Sequence, residues 1–429
     1  MVQLNPVRSW HPDPATVDPN QLVCPVYDTL SQADFQRFGG TPLNAAQFVP
    51  RPKEVPVDRF VQSAVQRLGA AIKSGAYRRD ATDSYYVYGI RYIPPPDILE
   101  TIDAEDQRSE YLLLGLVGAL DFDRLQHGQV AMHERTFADR VDERVALTDA
   151  TGMSFAPIMA GYHSADHHLN DLLEGELGLD RRRLAFDGPM APTVEATLDG
   201  TTHRLWRIDD PARVALIEEE IRKLRILILD GHHRFTAFAK RHYAGRRSAP
   251  LTMLVEGRDR ALQLLPWHRV LRASIRSFET IFAAARREFS SIEDHTESPT
   301  VDRVLERLRA MTREHLRGFL IVSQNRMLEV KEPPSDDVGT DFDRLHEFLE
   351  ETLQLDPESM EFVRSPRRAM EAISASRATL GTAFLLPGMT EEGIEHRAFD
   401  RGSVMAQKST MFLPKVAEGM LFAPANGVD

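Results

Sequence analysis

The feature that most constrains this chain is the run Ile226-Leu227-Ile228-Leu229, which stops at Asp230-Gly231-His232-His233-Arg234 and gives way to a helical pattern through Lys240. A continuous apolar run of this length reads as a buried strand, and the glycine after it permits a tight strand-to-helix turn. Residues able to bind anions, protons or metals therefore converge where a strand ends and a helix begins. Unsatisfied amides and the dipole at such a point favour an anion. Phosphate uses the set best: Arg234 offers a planar, permanently charged fork, and His232 and His233 donate hydrogen bonds and titrate near neutrality. Asp230 is expected to cap the helix or to bind Mg²⁺. Phe235, Ala237, Phe238 and Ala239 give the helix an apolar face to lay on a sheet. The plainer alternative is a capped helix start with solvent-facing basic residues. A dizinc site is disfavoured, because adjacent histidines diverge on a helix and no nearby cysteine completes a shell.

A chain of 429 residues exceeds what one hydrophobic core usually serves. Two α+β domains are expected: 1–274, carrying the central site, and 275–429, packing back on it. A net charge of -12 with 42% hydrophobic residues indicates a soluble protein and argues against nucleic acid as a partner. Arg181-Arg182-Arg183 and Arg246-Arg247 are too brief to reverse that. The stretch Met1 to Asn20 has no apolar core of a secretory signal, no run reaches membrane-spanning length, and the lone Cys24 suits a reducing compartment, so a cytoplasmic location is expected.

Elsewhere the pattern alternates between the two periods. Val57 to Ser74 has helical spacing and stops at Gly75; Ser84 to Tyr92 and Tyr111 to Leu120 read as paired strands, with Gly115 and Gly118 leaving room for a backbone or a ligand. Residues 193–209 alternate around Asp199-Gly200, a hairpin turn pair. A second polar concentration, His133-Glu134-Arg135-Thr136, reads evenly as solvated surface or as site. His163 and His167 are four apart but lack a carboxylate or cysteine partner, so a metal reading is discounted. Leu262 to Leu271 reads as one strand, and its Trp267-His268-Arg269 could clamp a planar or phosphorylated ligand. Lys408, Ser409 and Thr410 could reach phosphate without forming a P-loop, and Lys415 reads as evenly a solvated loop residue.

Taken in order, Pro25-Val26-Tyr27-Asp28, His133-Glu134-Arg135-Thr136, Leu205-Trp206-Arg207, Asp230-Gly231-His232-His233-Arg234, Leu265-Pro266-Trp267-His268-Arg269 and Gln407-Lys408-Ser409-Thr410 resemble the motifs of domain-of-unknown-function family 1015. The family's usual threonine before the second His-Arg pair is Trp267 here, and its usual tyrosines after Lys-Ser-Thr are Met411 and Phe412. The central motif also resembles the phosphate signature of the ParB and sulfiredoxin-like superfamily, which includes free-serine kinases and CTP-binding partitioning proteins. That resemblance implies an α+β fold with a mixed-sheet core and a nucleotide held by Gly231 through Arg234.

The leading expectation is a nucleotide-dependent kinase of a small hydroxylated metabolite such as an amino acid or hydroxy acid, using ATP or ADP with Mg²⁺. Glu134, Asp230 and His233 are the candidate catalytic residues, with Asp230 also the metal ligand. His232, His233, Arg234, His268, Arg269 and Lys408 are assigned to the cofactor, and His133, Arg135, Thr136, Ser409 and Thr410 to the substrate. Phosphoester or nucleotide hydrolysis and non-catalytic nucleotide sensing are the alternatives. The partner is expected to be a small molecule, with no nucleic acid or membrane and with room for a homodimer.

Overall fold

Most apolar runs before residue 257 join one mixed sheet in the computed structural model, which describes all residues except 1, 28, 103–106, 127, 164–167, 180–185, 273, 296, 334–338, 357–358, 375–380 and 428–429. Asp28, His167 and Arg181-Arg182-Arg183 lie outside the described residues. The sheet contains β1 (Tyr85–Tyr92), β2 (Tyr111–Leu120), β3 (Val130–Met132), β4 (Ile158–Tyr162), β5 (Val194–Leu198), β6 (Thr201–Ile208), β7 (Ile226–Asp230) and β8 (Leu251–Glu256). Their order is β5-β6-β1-β2-β8-β4-β7-β3. The β8/β4 and β7/β3 pairs are parallel and the rest antiparallel. Asp199 and Gly200 both take positive φ at the β5/β6 turn, as the Asp-Gly pair predicts. The room left by Gly118 is taken by backbone: a Cβ there would lie 2.8 Å from the Asn5 carbonyl oxygen of the short strand Leu4–Asn5.

β7 is buried along its apolar run, and its pairing with β4 shifts register between Ile228 and Asp230. Such an irregularity re-aims side chains at a strand's end, here just before the polar motif. The two helices that enclose this end are α1 (Ala138–Thr151) and α2 (His232–Tyr243), which pack on each other.

The expected single strand from Leu262 to Leu271 is instead two, β9 (Gln263–Pro266) and β10 (His268–Leu271), in different sheets. Pro266 has no N–H to continue a ladder, and the Trp267 N–H turns to the Ser409 carbonyl (3.1 Å). β10 joins β11 (Ile292–His295), β12 (Arg317–Val322), β13 (Met327–Glu332), β14 (Glu361–Val363) and β15 (Thr382–Leu385) in an antiparallel sheet ordered β11-β13-β12-β15-β10-β14. The amphipathic helix α3 (Val301–Arg313) packs its apolar face on this sheet.

The chain then returns to its earlier segments in three separate two-stranded pairings. β16 (Thr410–Leu413) pairs with β9, Ala417–Glu418 with Cys24–Pro25, and Ala423–Pro424 with Met153–Ser154. The observed class is therefore α+β with a mixed central sheet. We propose that each large sheet is the core of one unit, divided near Trp267, with the returning segment belonging to the first.

Candidate active site

Gly231 is the cap residue of α2, at φ +90°, a left-handed value that a Cβ would strain. No side chain caps this helix, so Asp230 does not play the capping part expected of it. Its carboxylate instead accepts from Lys415 at Oδ1 and from Arg234 Nη2 at Oδ2 (3.2 Å). Burial alone would raise the pKa of Asp230, but Lys415 and Arg234 hold it below the usual carboxylate range.

Arg234 follows the same inward direction. Nη1 donates to the carbonyls of Ala156 (2.7 Å) and Pro157 (3.1 Å), and the guanidinium folds beneath Gly231, where a Cβ would sit 2.9 Å from Nη2. Its fork is thus largely spent on the protein, which displaces it from the direct phosphate contact its sequence position suggests. The charge beneath is matched by buried Glu418, which accepts from the amides of Tyr27 (3.4 Å) and Ala156 (3.3 Å). Burial raises the pKa of Glu418, with Arg234 and Arg144 opposing.

Residues far apart in sequence complete the site. Arg135 N donates to the Met405 carbonyl (3.0 Å) and Met405 N to the His133 carbonyl (2.8 Å), which brings the Lys408-Ser409-Thr410 stretch beside Glu134. The result is a hollow of about 50 Å³ lined by Glu134, Arg135, Asp230, Gly231, His232, His233, Arg234, Lys408, Thr410 and Lys415, with Tyr27, Thr29, Phe137, Leu229, Trp267 and Gln407 filling the wall. His233 is fixed by accepting the Phe137 N–H (3.1 Å) while stacking on that ring. Lys408, at φ 56°, carries its ammonium 5.2 Å from the Trp267 ring centre.

Glu134 is held from one side. Its Oε1 accepts from Thr410 N (2.6 Å) and meets Thr410 Oγ1 (2.5 Å), which in turn lies 2.7 Å from His133 Nε2; His133 Nδ1 is 2.9 Å from the Ile228 carbonyl. Burial, then the neighbouring His232, depress His133 to about 3, and burial likewise takes His232 to about 3. Both rings are therefore neutral near pH 7. His232 Nε2 also lies 3.3 Å from His133 Nδ1, so a neutral His133 with its proton on Nε2 donates to Thr410, whose hydroxyl in turn donates to Glu134.

Other expected residues sit elsewhere. His133 lies behind the hollow rather than on its surface. Arg269, wholly buried, donates to the carbonyls of Trp267 (2.6 Å) and Lys408 (3.3 Å) and meets His346 Nε2 (2.9 Å), so it supports the Lys408 turn from outside the hollow. Ser409 turns inward to the Ala406 carbonyl (2.9 Å), Thr136 is not on the lining, and His268 lines a different cavity. Lys415 and Glu418 are the residues sequence reasoning missed. Nothing local marks them: each meets its partner across a long loop of chain.

As a Mg²⁺ ligand Asp230 is poorly placed, since cations already occupy both of its oxygens. Among the described residues, Glu293, His295 and Glu329 have the spacing of a metal-ligand group, but they lie on the second sheet, where Arg307 already holds Glu329 (Nε to Oε2, 2.6 Å).

The model of the family described as "Protein of unknown function (DUF1015)" matches residues 4–351. The chain belongs to this family. No curated protein matches it. Among solved structures, a free serine kinase in complex with ADP gives a TM-score of 0.38 at 11% identity, covering 69% of this chain and 87% of that one. A free serine kinase in complex with AMP gives 0.38 at 10%, with coverage of 69% and 87%. A conserved hypothetical protein from Pyrococcus furiosus gives 0.36 at 11%, with coverage of 69% and 90%. Among the described residues, no helix is long and apolar enough to cross a membrane.

Proposed function

We propose that this protein is a nucleotide-dependent phosphotransferase that moves a terminal phosphoryl group to the hydroxyl of a small metabolite such as an amino acid or hydroxy acid. The observation that carries the reading is the placement of Glu134, oriented by its hydrogen bond from Thr410, in the same phosphate-sized hollow as Lys408, Lys415 and Arg135. Phosphoryl transfer asks for positioning, compensation of spreading negative charge, and a carboxylate that receives the acceptor's proton.

In this reading Glu134 takes the proton of the acceptor hydroxyl. The acceptor oxygen then forms its bond to phosphorus as the bond to the nucleotide's bridging oxygen breaks, and the electron pair leaves with the shortened nucleotide. Lys408, Lys415, His233 and the first amides of α2 surround the transferring group. Asp230, pinned between two cations and held ionised, is a weak proton acceptor near pH 7 and serves to position Lys415. A hollow of about 50 Å³ seats a phosphate and not a base or ribose, which extend beyond it. The nucleotide donor class draws support from the motif's resemblance to ParB and sulfiredoxin-like phosphate signatures. ATP or ADP would serve as the donor, and Mg²⁺ supplied with the nucleotide would offset phosphate charge.

The test is phosphorus NMR of the protein with MgATP or MgADP, alone and with pooled hydroxy acids and hydroxyl-bearing amino acids. Turnover that requires the pool, with a new phosphomonoester signal, is the expected result. Phosphate release without an acceptor would replace transfer by hydrolysis, and binding without turnover would replace it by sensing.

A further inference from the structure

A second and more apolar space adjoins the hollow. Between the β9/β16 ribbon and α3 lies a cleft of about 460 Å³, a size typical of small-molecule sites, walled by Leu264, Leu265, Leu305, Leu308, Leu386 and Phe412. The ribbon separates it from the hollow: Thr410 and Trp267 line one side, Phe412, Pro266 and His268 the other.

Among the polar residues on this lining, His268 and Glu391 stand apart. His268 is 2% exposed, and its Nδ1 accepts the Leu386 N–H (3.3 Å), so the neutral ring carries its proton on Nε2, for which the described residues show no partner. Glu391 occupies the space left by Gly257, where any Cβ would overlap its carboxyl, and its buried Oε1 has no hydrogen-bond partner among the described residues. Burial, then Glu395 and Glu256, push Glu391 up to about 8, so near neutrality it is an uncharged O–H donor. Most arginines on the lining are already engaged: Arg364 with Asp97, Arg309 with the Glu100 carbonyl, and Arg258 with Glu392; Arg260 is exposed at the rim.

We propose that this cleft is a second ligand site, which takes a neutral aliphatic molecule of metabolite size through a carbonyl oxygen presented to His268 Nε2. Apolar walls bury the aliphatic body, His268 supplies a donor without an acceptor, and the buried Glu391 beside the cleft, near Glu395 and Glu256, disfavours an anionic ligand. The site is independent of the phosphotransferase reading.

Saturation-transfer NMR and calorimetry on the full chain with butanamide, octanamide and dodecanamide, against octanoate, test it. At least one amide is expected to bind, with octanoate weaker by about tenfold. His268→Phe should weaken amide binding by about tenfold, while His268→Gln, which keeps an N–H donor, holds it within about threefold. Leu264→Trp, at a half-buried ribbon position that tolerates bulk, should abolish binding while the melting curve stays cooperative. Binding of none of the amides, binding undiminished in Leu264→Trp, or octanoate binding as tightly as octanamide would each overturn the proposal.

Discussion

The two cavities on either side of the β9/β16 ribbon divide the requirements of a ligand between them. The hollow beside Gly231 holds about 50 Å³ and is crowded with charge, whereas the cleft under α3 holds about 460 Å³ and offers an uncharged imidazole donor beside apolar walls. Of these two, volume would select the cleft as the reactive centre. For the proposed transfer, charge density selects the hollow, because a transferring phosphoryl group is small and its stabilisation depends on converging charges rather than on buried area. Chemistry and capacity are separate properties here, and each can be perturbed without the other.

The strongest way to break the contrast is Glu134→Gln. Turnover should fall by roughly 10²- to 10⁴-fold while nucleotide affinity by calorimetry stays within about threefold; an equal loss of both would reduce Glu134 to a binding residue. Arg234→Ala is next. It leaves Asp230 and Glu418 with less compensation in a buried setting and should cost about 3–5 kcal/mol in urea unfolding. A loss below about 1 kcal/mol would return Arg234 to the role of an exposed phosphate ligand.

The cavities should also respond oppositely to pH. His133 and His232, near 3 in the folded state, contribute stability that is complete above their unfolded pKa of about 6.5 and is lost as pH falls toward 3. Each contributes up to about 1.4 kcal/mol per pH unit in that window. Glu391, raised to about 8, has the reverse sign: its contribution is fullest below about 4.5 and declines as pH rises to 8. Glu391→Gln should flatten only the higher window in urea melts collected across pH, and a variant that retained the wild-type slope there would remove Glu391 from the account. The smallest expected effect is Lys415→Met, which should weaken pyrophosphate binding by about tenfold with little change in octanamide binding. Equal weakening of both ligands would mean that the ribbon transmits what it is said to separate.

What the sequence made legible was local. The Asp199-Gly200 turn, the buried β7 run and the left-handed Gly231 are each dictated by a few neighbouring residues, and each is found where the pattern places it. The position of Glu134 beside the central motif was accessible only through the family's ordered motifs. The direction of Arg234 was hidden, because it is decided by the Ala156 and Pro157 carbonyls, about eighty positions away in sequence. Lys415 looked like a loop lysine because its carboxylate partner lies on a strand end that only tertiary pairing brings near. The break at Trp267 was likewise a tertiary event, set by Ser409 drawing the tryptophan amide out of the strand.

One consequence concerns the order in which the protein comes into being. Glu134 and Thr410 are separated by 276 positions, and Asp230 and Lys415 by 185. A chain synthesised only as far as Gly231 lacks Lys408, Thr410 and Lys415, three of the residues that line the hollow. On the proposed reading, reactivity therefore waits for the returning strand to be made and docked.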